Sequence, residues 1–132
     1  MKITQAILDD LTAKAKESPR LRMNLDLRNS AEDKSQRMLN AIEPGSELPI
    51  HRHQKTSEVM VCLRGKLKVE YYDELERTCT ESFIIEPNGM NVAVSIPIGV
   101  WHTVHALESG TCILECKDGA YEPLQDCDVL KM

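Results

Sequence analysis

Aromatic side chains are scarce in these 132 residues, with three tyrosines, one tryptophan and one phenylalanine, so any core rests mainly on branched aliphatic residues. No stretch approaches the roughly 18 apolar residues of a membrane helix, and the N-terminus lacks the basic, apolar and small-residue order of a signal peptide. A cytoplasmic protein is therefore expected. Dense Lys/Arg runs are also missing, and with a formal charge of -5 this argues against a nucleic-acid backbone or an anionic membrane as partner. A small molecule is the better expectation. The five cysteines, Cys62, Cys79, Cys112, Cys116 and Cys127, are an odd number and form no CxxC pair of the zinc-ribbon or redox kind, so they read as reduced thiols. Cys62, Cys112 and Cys116 lie in apolar strand-like segments and are expected to fill space, with Cys62 sharing strand parity with Glu58.

The length suits a single domain spanning 1–132, with a helix over 1–18, a β-domain over 19–117 and a C-terminal tail over 118–132. Ile3, Ile7, Leu8 and Leu11 recur at helical spacing between a candidate N-cap, Thr4, and the Ser18-Pro19 stop. The period then changes to two: Leu21, Met23, Leu25 and Leu27 alternate with Arg20, Arg22, Asn24, Asp26 and Arg28, the pattern of a half-buried strand. From there to Cys116 come short Val/Ile/Leu/Thr runs broken at Asn29 to Lys34, Pro44-Gly45, Arg64-Gly65, Asp73 to Glu76, Pro87-Asn88-Gly89 and Ser109-Gly110. About eight or nine strands follow, and without intervening helical periods they point to an all-β antiparallel sandwich or barrel.

The chemistry concentrates between Gly45 and Gly65, which read G-x5-H-x-H-x4-E-x6-G with His51, His53 and Glu58 at the marked places. Histidines two apart on a strand share a face, so His51 and His53 can bind one ion together while Arg52 points away. Glu58 opens the next apolar run and can add a carboxylate oxygen. In Ile96-Pro97-Ile98-Gly99-Val100-Trp101-His102 a further histidine follows a Pro/Gly turn, and His102 completes a set of three imidazoles and one carboxylate. Such a set holds one divalent transition metal ion, with Zn, Fe, Mn and Ni all suited to imidazole ligands.

These residues carry a resemblance. The Gly45 to Gly65 pattern is similar to the first cupin motif, and Pro97-x-Gly99-x-x-His102 to the heart of the second. Asn91 stands where that second motif has a glycine and Ala106 where it has an asparagine; both departures concern turns. The chain further resembles the WbuC family of the RmlC-like cupin superfamily in Ser18 to Asn24, Gln36 to Gly45, Gly99 to Thr103 and Lys117 to Leu124. The likeness implies a double-stranded β-helix, the cupin jelly-roll barrel, with a short N-terminal α-helix and the ion inside. It also implies a homodimer and a setting in surface-polysaccharide synthesis, with a sugar or nucleotide-sugar derivative as ligand.

Around the core motif, the polar face of Arg20, Arg22, Asn24, Asp26 and Arg28 is either an anion site or a solvated edge, with Arg20 and Arg22 the candidate ligand-binding residues. Tyr121 is a third candidate, placed to close over a pocket. His105 lies three residues past His102, so it should face away from the ion. Trp101 has the wrong parity to share the His102 face, and one of Tyr71 and Tyr72 should point inward. No general base is evident beside the ligands, Glu70 and Asp73 being more at home in solvent. Three function classes fit: a Lewis-acid enzyme on a sugar derivative, an iron(II) oxygenase, and a binding module without turnover.

Overall fold

A computed structural model describes residues 1–132. Helix α1 (Gln5–Glu17) is capped as its sequence predicts: the Thr4 hydroxyl accepts from the Ile7 amide at 3.3 Å, and Lys14 and Lys16 sit in the last turn, where the helix dipole favours cations. The ten strands are β1 (Arg22–Asp26), β2 (Ser35–Ile42), β3 (Ile50–His51), β4 (Glu58–Arg64), β5 (Leu67–Tyr72), β6 (Cys79–Ile85), β7 (Ala93–Ile96), β8 (Trp101–Ala106), β9 (Thr111–Asp118) and β10 (Val129–Leu130). They form two five-stranded antiparallel sheets, β1-β2-β9-β4-β7 and β10-β3-β8-β5-β6. The fold is an all-β jelly-roll barrel with one short helix. Its turns fall where glycine, proline, asparagine and aspartate interrupt the apolar runs.

Two apolar clusters hold it together. Between the sheets, Ile42, Met60, Cys62, Leu67, Val69, Ile85, Ile96, Val104 and Ile113 pack as the barrel core. Outside the first sheet, Leu8, Leu11 and Ala15 of α1 cover Leu39, Ala41 and Cys112, with Met23, Leu25 and Leu27 alongside. The alternation in β1 is thereby put to a different use from that of a free edge. Its apolar residues lie under the helix, while Arg22, Asn24 and Asp26 pair in register with Ile42, Asn40 and Met38 on the barrel side. Cys62 is core filler, and burial pushes its thiol up to about 11, which leaves it inert.

The tail contributes to the barrel. After a 3-10 turn at Asp126–Asp128, β10 adds to the second sheet, with Val129 opposite His51 and Leu130 opposite Ile50. No helix is long and apolar enough to cross a membrane.

Candidate metal centre

The two sheets converge on four side chains at one end of the barrel. His51 ends β3 and pairs directly with His102 on β8; His53 follows two residues on; Glu58 begins β4 in the opposite sheet. Their ligand atoms all lie within 4.8 Å of one another. The ring centroids of His51 and His102 are 4.3 Å apart, those of His51 and His53 5.1 Å. The second motif is tied to the first by the Gly99 amide, which donates to the His53 carbonyl at 2.8 Å. Gly99 has φ +80°, a left-handed conformation that glycine adopts without a Cβ penalty.

Hydrogen bonding decides which nitrogens face inward. The Nδ1 atoms of His51 and His102 each lie 2.9 Å from a backbone carbonyl, of Pro49 and Val100 respectively. A carbonyl only accepts, so both Nδ1 atoms carry the proton and both Nε2 atoms keep a lone pair. Buried and without a hydrogen-bond partner are His53 Nε2, His102 Nε2 and Glu58 Oε2. His53 Nε2 comes to 3.0 Å from Glu58 Oε2, a charge contact by distance that lacks hydrogen-bond alignment. Buried polar atoms are rarely left unpaired, and three of them aimed at one point fit a cation.

The charge states agree with that fit. Burial, assisted by the neighbouring His102 ring, pushes His51 down to about 4, and burial lowers His102 as well. Burial acts to raise Glu58, but the His53 ring and then the Lys117 ammonium outweigh it and hold the carboxyl at about 2. Near neutral pH His51 and His102 are therefore neutral and Glu58 is ionised, the forms that bind a metal.

Sequence reasoning missed the polar row beside these ligands. Lys117 on β9 stands in register with Glu58 on one side and Gln36 of β2 on the other, and Glu115 lies one step deeper between Met38 and Met60. Lys117 Nζ is 3.9 Å from Glu58 Oε2. Part of the Glu115 stem stays accessible, yet burial of its carboxyl and the charge of Glu58 push it up to about 8. The available signal was the alternation Ile113-x-Glu115-x-Lys117, an apolar inner position followed by two charged residues of the same parity.

The remaining candidates are dispersed. Arg22 is tied to the Ser46 hydroxyl at 3.3 Å and the Glu47 carbonyl at 3.0 Å, and Arg20 is exposed; neither lines the cavity beside the ligands. Tyr121 does line it, with the Arg28 guanidinium 5.9 Å from its ring. His105 faces outward onto Glu70, 2.6 Å away, which occupies that carboxylate outside the barrel. Trp101 is buried beneath the Arg52 guanidinium, 4.6 Å from the ring centroid, and Tyr71 packs edge-on against Phe83.

The C-terminal segment braces the histidine-bearing strand. Asp128 accepts from the Arg52 side chain at 3.4 Å and from the Gln54 amide, while its carbonyl accepts from the Arg52 backbone at 3.1 Å. Residues on both sides of His53 are thus held by one aspartate. Asp128→Ala is expected to weaken metal affinity about tenfold, as loss of supporting contacts around ligands does. Titration against a chelating dye measures it, and an unchanged affinity would mean that the pairing of His51 with His102 and the Gly99 bond to the His53 carbonyl suffice to hold the two rings.

Solved structures with the same barrel place the chain among cupin-fold proteins. KdgF from Halomonas sp. aligns at 15% identity over 79% of this chain and 84% of that chain, with a TM-score of 0.61. The Cnp3 cupin domain of Schizosaccharomyces pombe aligns at 13% identity over 74% and 61%, with a TM-score of 0.59. The capsular polysaccharide assembling protein CapF from Staphylococcus aureus aligns at 17% identity and a TM-score of 0.66, over 80% of this chain but only 28% of its own length. Residues 3–84 match the family described as Domain of unknown function (DUF6016), and the chain belongs to that family. No curated protein matches it.

Proposed function

We propose that this protein binds one divalent transition metal ion through His51, His53, Glu58 and His102 and uses it to bind or convert a sugar or nucleotide-sugar derivative in surface-polysaccharide biosynthesis. The observation that carries the metal assignment is the convergence of His53 Nε2, His102 Nε2 and Glu58 Oε2, buried and unpartnered, within one cluster of four donors. Three imidazoles and a carboxylate suit Zn, Fe, Mn or Ni, and four protein donors leave room for an exogenous oxygen ligand. When bound, the ion supplies Lewis acidity toward such an oxygen. The chain's own residues orient and charge the site: Pro49 and Val100 carbonyls fix the His51 and His102 tautomers, and the His53 ring, with a smaller part from Lys117, keeps Glu58 ionised.

The sugar assignment is supported by the resemblance to the WbuC family and by the likeness in fold to a capsular polysaccharide assembling protein. The same reading includes a homodimer. Because α1 already spends its apolar stripe on the first sheet, the element left to pair is the edge strand β1. The test is elemental analysis of protein purified without chelators or tag-borne metal, followed by thermal-shift screening against free and nucleotide-linked sugar derivatives. One equivalent of metal and stabilisation by a sugar derivative, free or nucleotide-linked, are expected. Absence of metal would refute the reading, and redox-active iron with oxygen consumption would replace it by the oxygenase.

A further inference from the structure

We propose that the ligand of this site is an anionic polyol, a small hydroxyl-rich molecule bearing one carboxylate or phosphate, and that Lys117 receives its charged group. The inference rests on the metal-binding reading and specifies the class of sugar derivative. The first support is position. Gln36, Lys117 and Glu58 stand abreast on β2, β9 and β4, so Lys117 reaches the same end of the barrel as the metal ligands. A cavity of about 450 Å³ opens onto Lys117, His53, Gln36 and Tyr121 together. That volume lies within the range of small-molecule sites, about 300–1,000 Å³.

The second support is charge. The Lys117 side chain is only 16% exposed, and its one ion pair is with Glu58. Glu58 is also a donor to the ion. A divalent ion and Lys117 bring three positive charges to the centre, against one negative charge from Glu58 and at most one more from Glu115. The sum is positive whichever protonation state Glu115 holds. An enclosed ammonium facing a cation is costly unless an anion joins it. The other cations around the cavity differ from it: Arg52 is held by Asp128 and Trp101, and Lys55, 80% exposed and 3.6 Å from Glu122, stays solvated and has no need of a ligand's charge. Lys117 is the one left to receive a ligand.

The third support is the supply of hydrogen-bonding groups for hydroxyls. Gln36 donates its Nε2 to the Gly119 carbonyl at 2.8 Å, which leaves the amide oxygen to accept. The Tyr121 hydroxyl makes no hydrogen bond within the chain, and most of the side chains lining the cavity carry polar groups, Gln54, Thr56 and Gln125 among them. Such a lining matches a polyol and penalises an apolar ligand.

The experiment is isothermal titration of metal-loaded protein, freed of unbound metal, with D-gluconate, D-glucose 6-phosphate and D-glucose. At least one anion is expected to bind about tenfold or more tightly than glucose, and the preferred one identifies carboxylate or phosphate as the charged group. Lys117→Met should lower that affinity about tenfold at unchanged metal content, Lys117→Arg should restore it, and Lys55→Met should leave it unaltered. The class is overturned if neither anion surpasses glucose on wild-type protein, a comparison that needs no variant. Lys117 is overturned as the receptor if metal-replete Lys117→Met, or Lys117→Gln should the first fail to fold or load, binds the anion undiminished. Wild-type protein that takes up no metal fails the metal-binding reading itself, before any sugar is added.

Discussion

His51→Ala/His53→Ala is expected to abolish stoichiometric metal binding, weakening affinity by more than about a thousandfold. Loss of a single supporting contact around a metal ligand typically costs about 10- to 100-fold, and this variant removes two ligands outright. The remaining pair, Glu58 and His102, lies in opposite sheets and leaves the ion with half its protein donors. Metal that binds only the folded state stabilises it by mass action, about 2.7 kcal/mol at a hundredfold excess over the dissociation constant. The melting temperature of the wild type should therefore rise on metal addition while that of the double variant does not. His102→Ala should also lose most of the metal, Glu58→Gln less, and His105→Ala almost none because His105 is outside the barrel on Glu70. A stoichiometric ion in the double variant, seen by elemental analysis, would falsify the ligand assignment.

Gly65→Ala is expected to destabilise the protein by about 3 kcal/mol, combining about 1–2 kcal/mol for a left-handed alanine with about 1–3 kcal/mol of overpacking. Gly65 turns the chain from β4 to β5 at φ +81°, and a Cβ there would come within 2.7 Å of the Thr111 Cα and 2.3 Å of its Oγ1. Thr111 cannot swing away easily: it is fully buried, and its hydroxyl engages the Lys66 amide at 3.2 Å and the Glu108 carbonyl at 2.7 Å. Thermal unfolding of the metal-free form should show a drop of about 10 °C or more. A shift of only a degree or two would mean that this turn relaxes. The contrast is Gly99, whose added Cβ would meet nothing within 4 Å, so that only its φ of +80° opposes substitution.

The parts of the fold and site that were legible in the sequence are those governed by near neighbours along the chain. Thr4 and the Ser18-Pro19 stop delimit α1 because capping and proline act within one turn. His51 and His53 were readable as a pair from their spacing, although β3 ends at His51 and His53 reaches the same cluster from the loop that follows. Glu58 and His102 were singled out by their own positions, at the start of an apolar run and after a Pro/Gly turn, although nothing near them in sequence says that β4 and β8 face each other across a barrel. The tail was harder still. Val129 and Leu130 form too short a run to announce a strand, and they are ordered by pairing with Ile50 and His51 almost eighty residues away.

The sequence by itself determined the alternating strands and their turns and singled out His51, His53, Glu58 and His102 as candidate metal donors, because backbone propensity and side-chain parity depend on neighbours along the chain. Only the tertiary structure decided which face of each strand is inside. In β1 the apolar face, Met23 and Leu25, turns outward because α1 is there to bury it, and the polar face joins the barrel side. The same decision places Glu115 and Lys117 beside Glu58, and it removes Arg22 to Ser46 and Glu47. Burial against a partner element is a property of the closed barrel, and parity along a strand leaves the choice of inner face open until the sheets and the helix have come together.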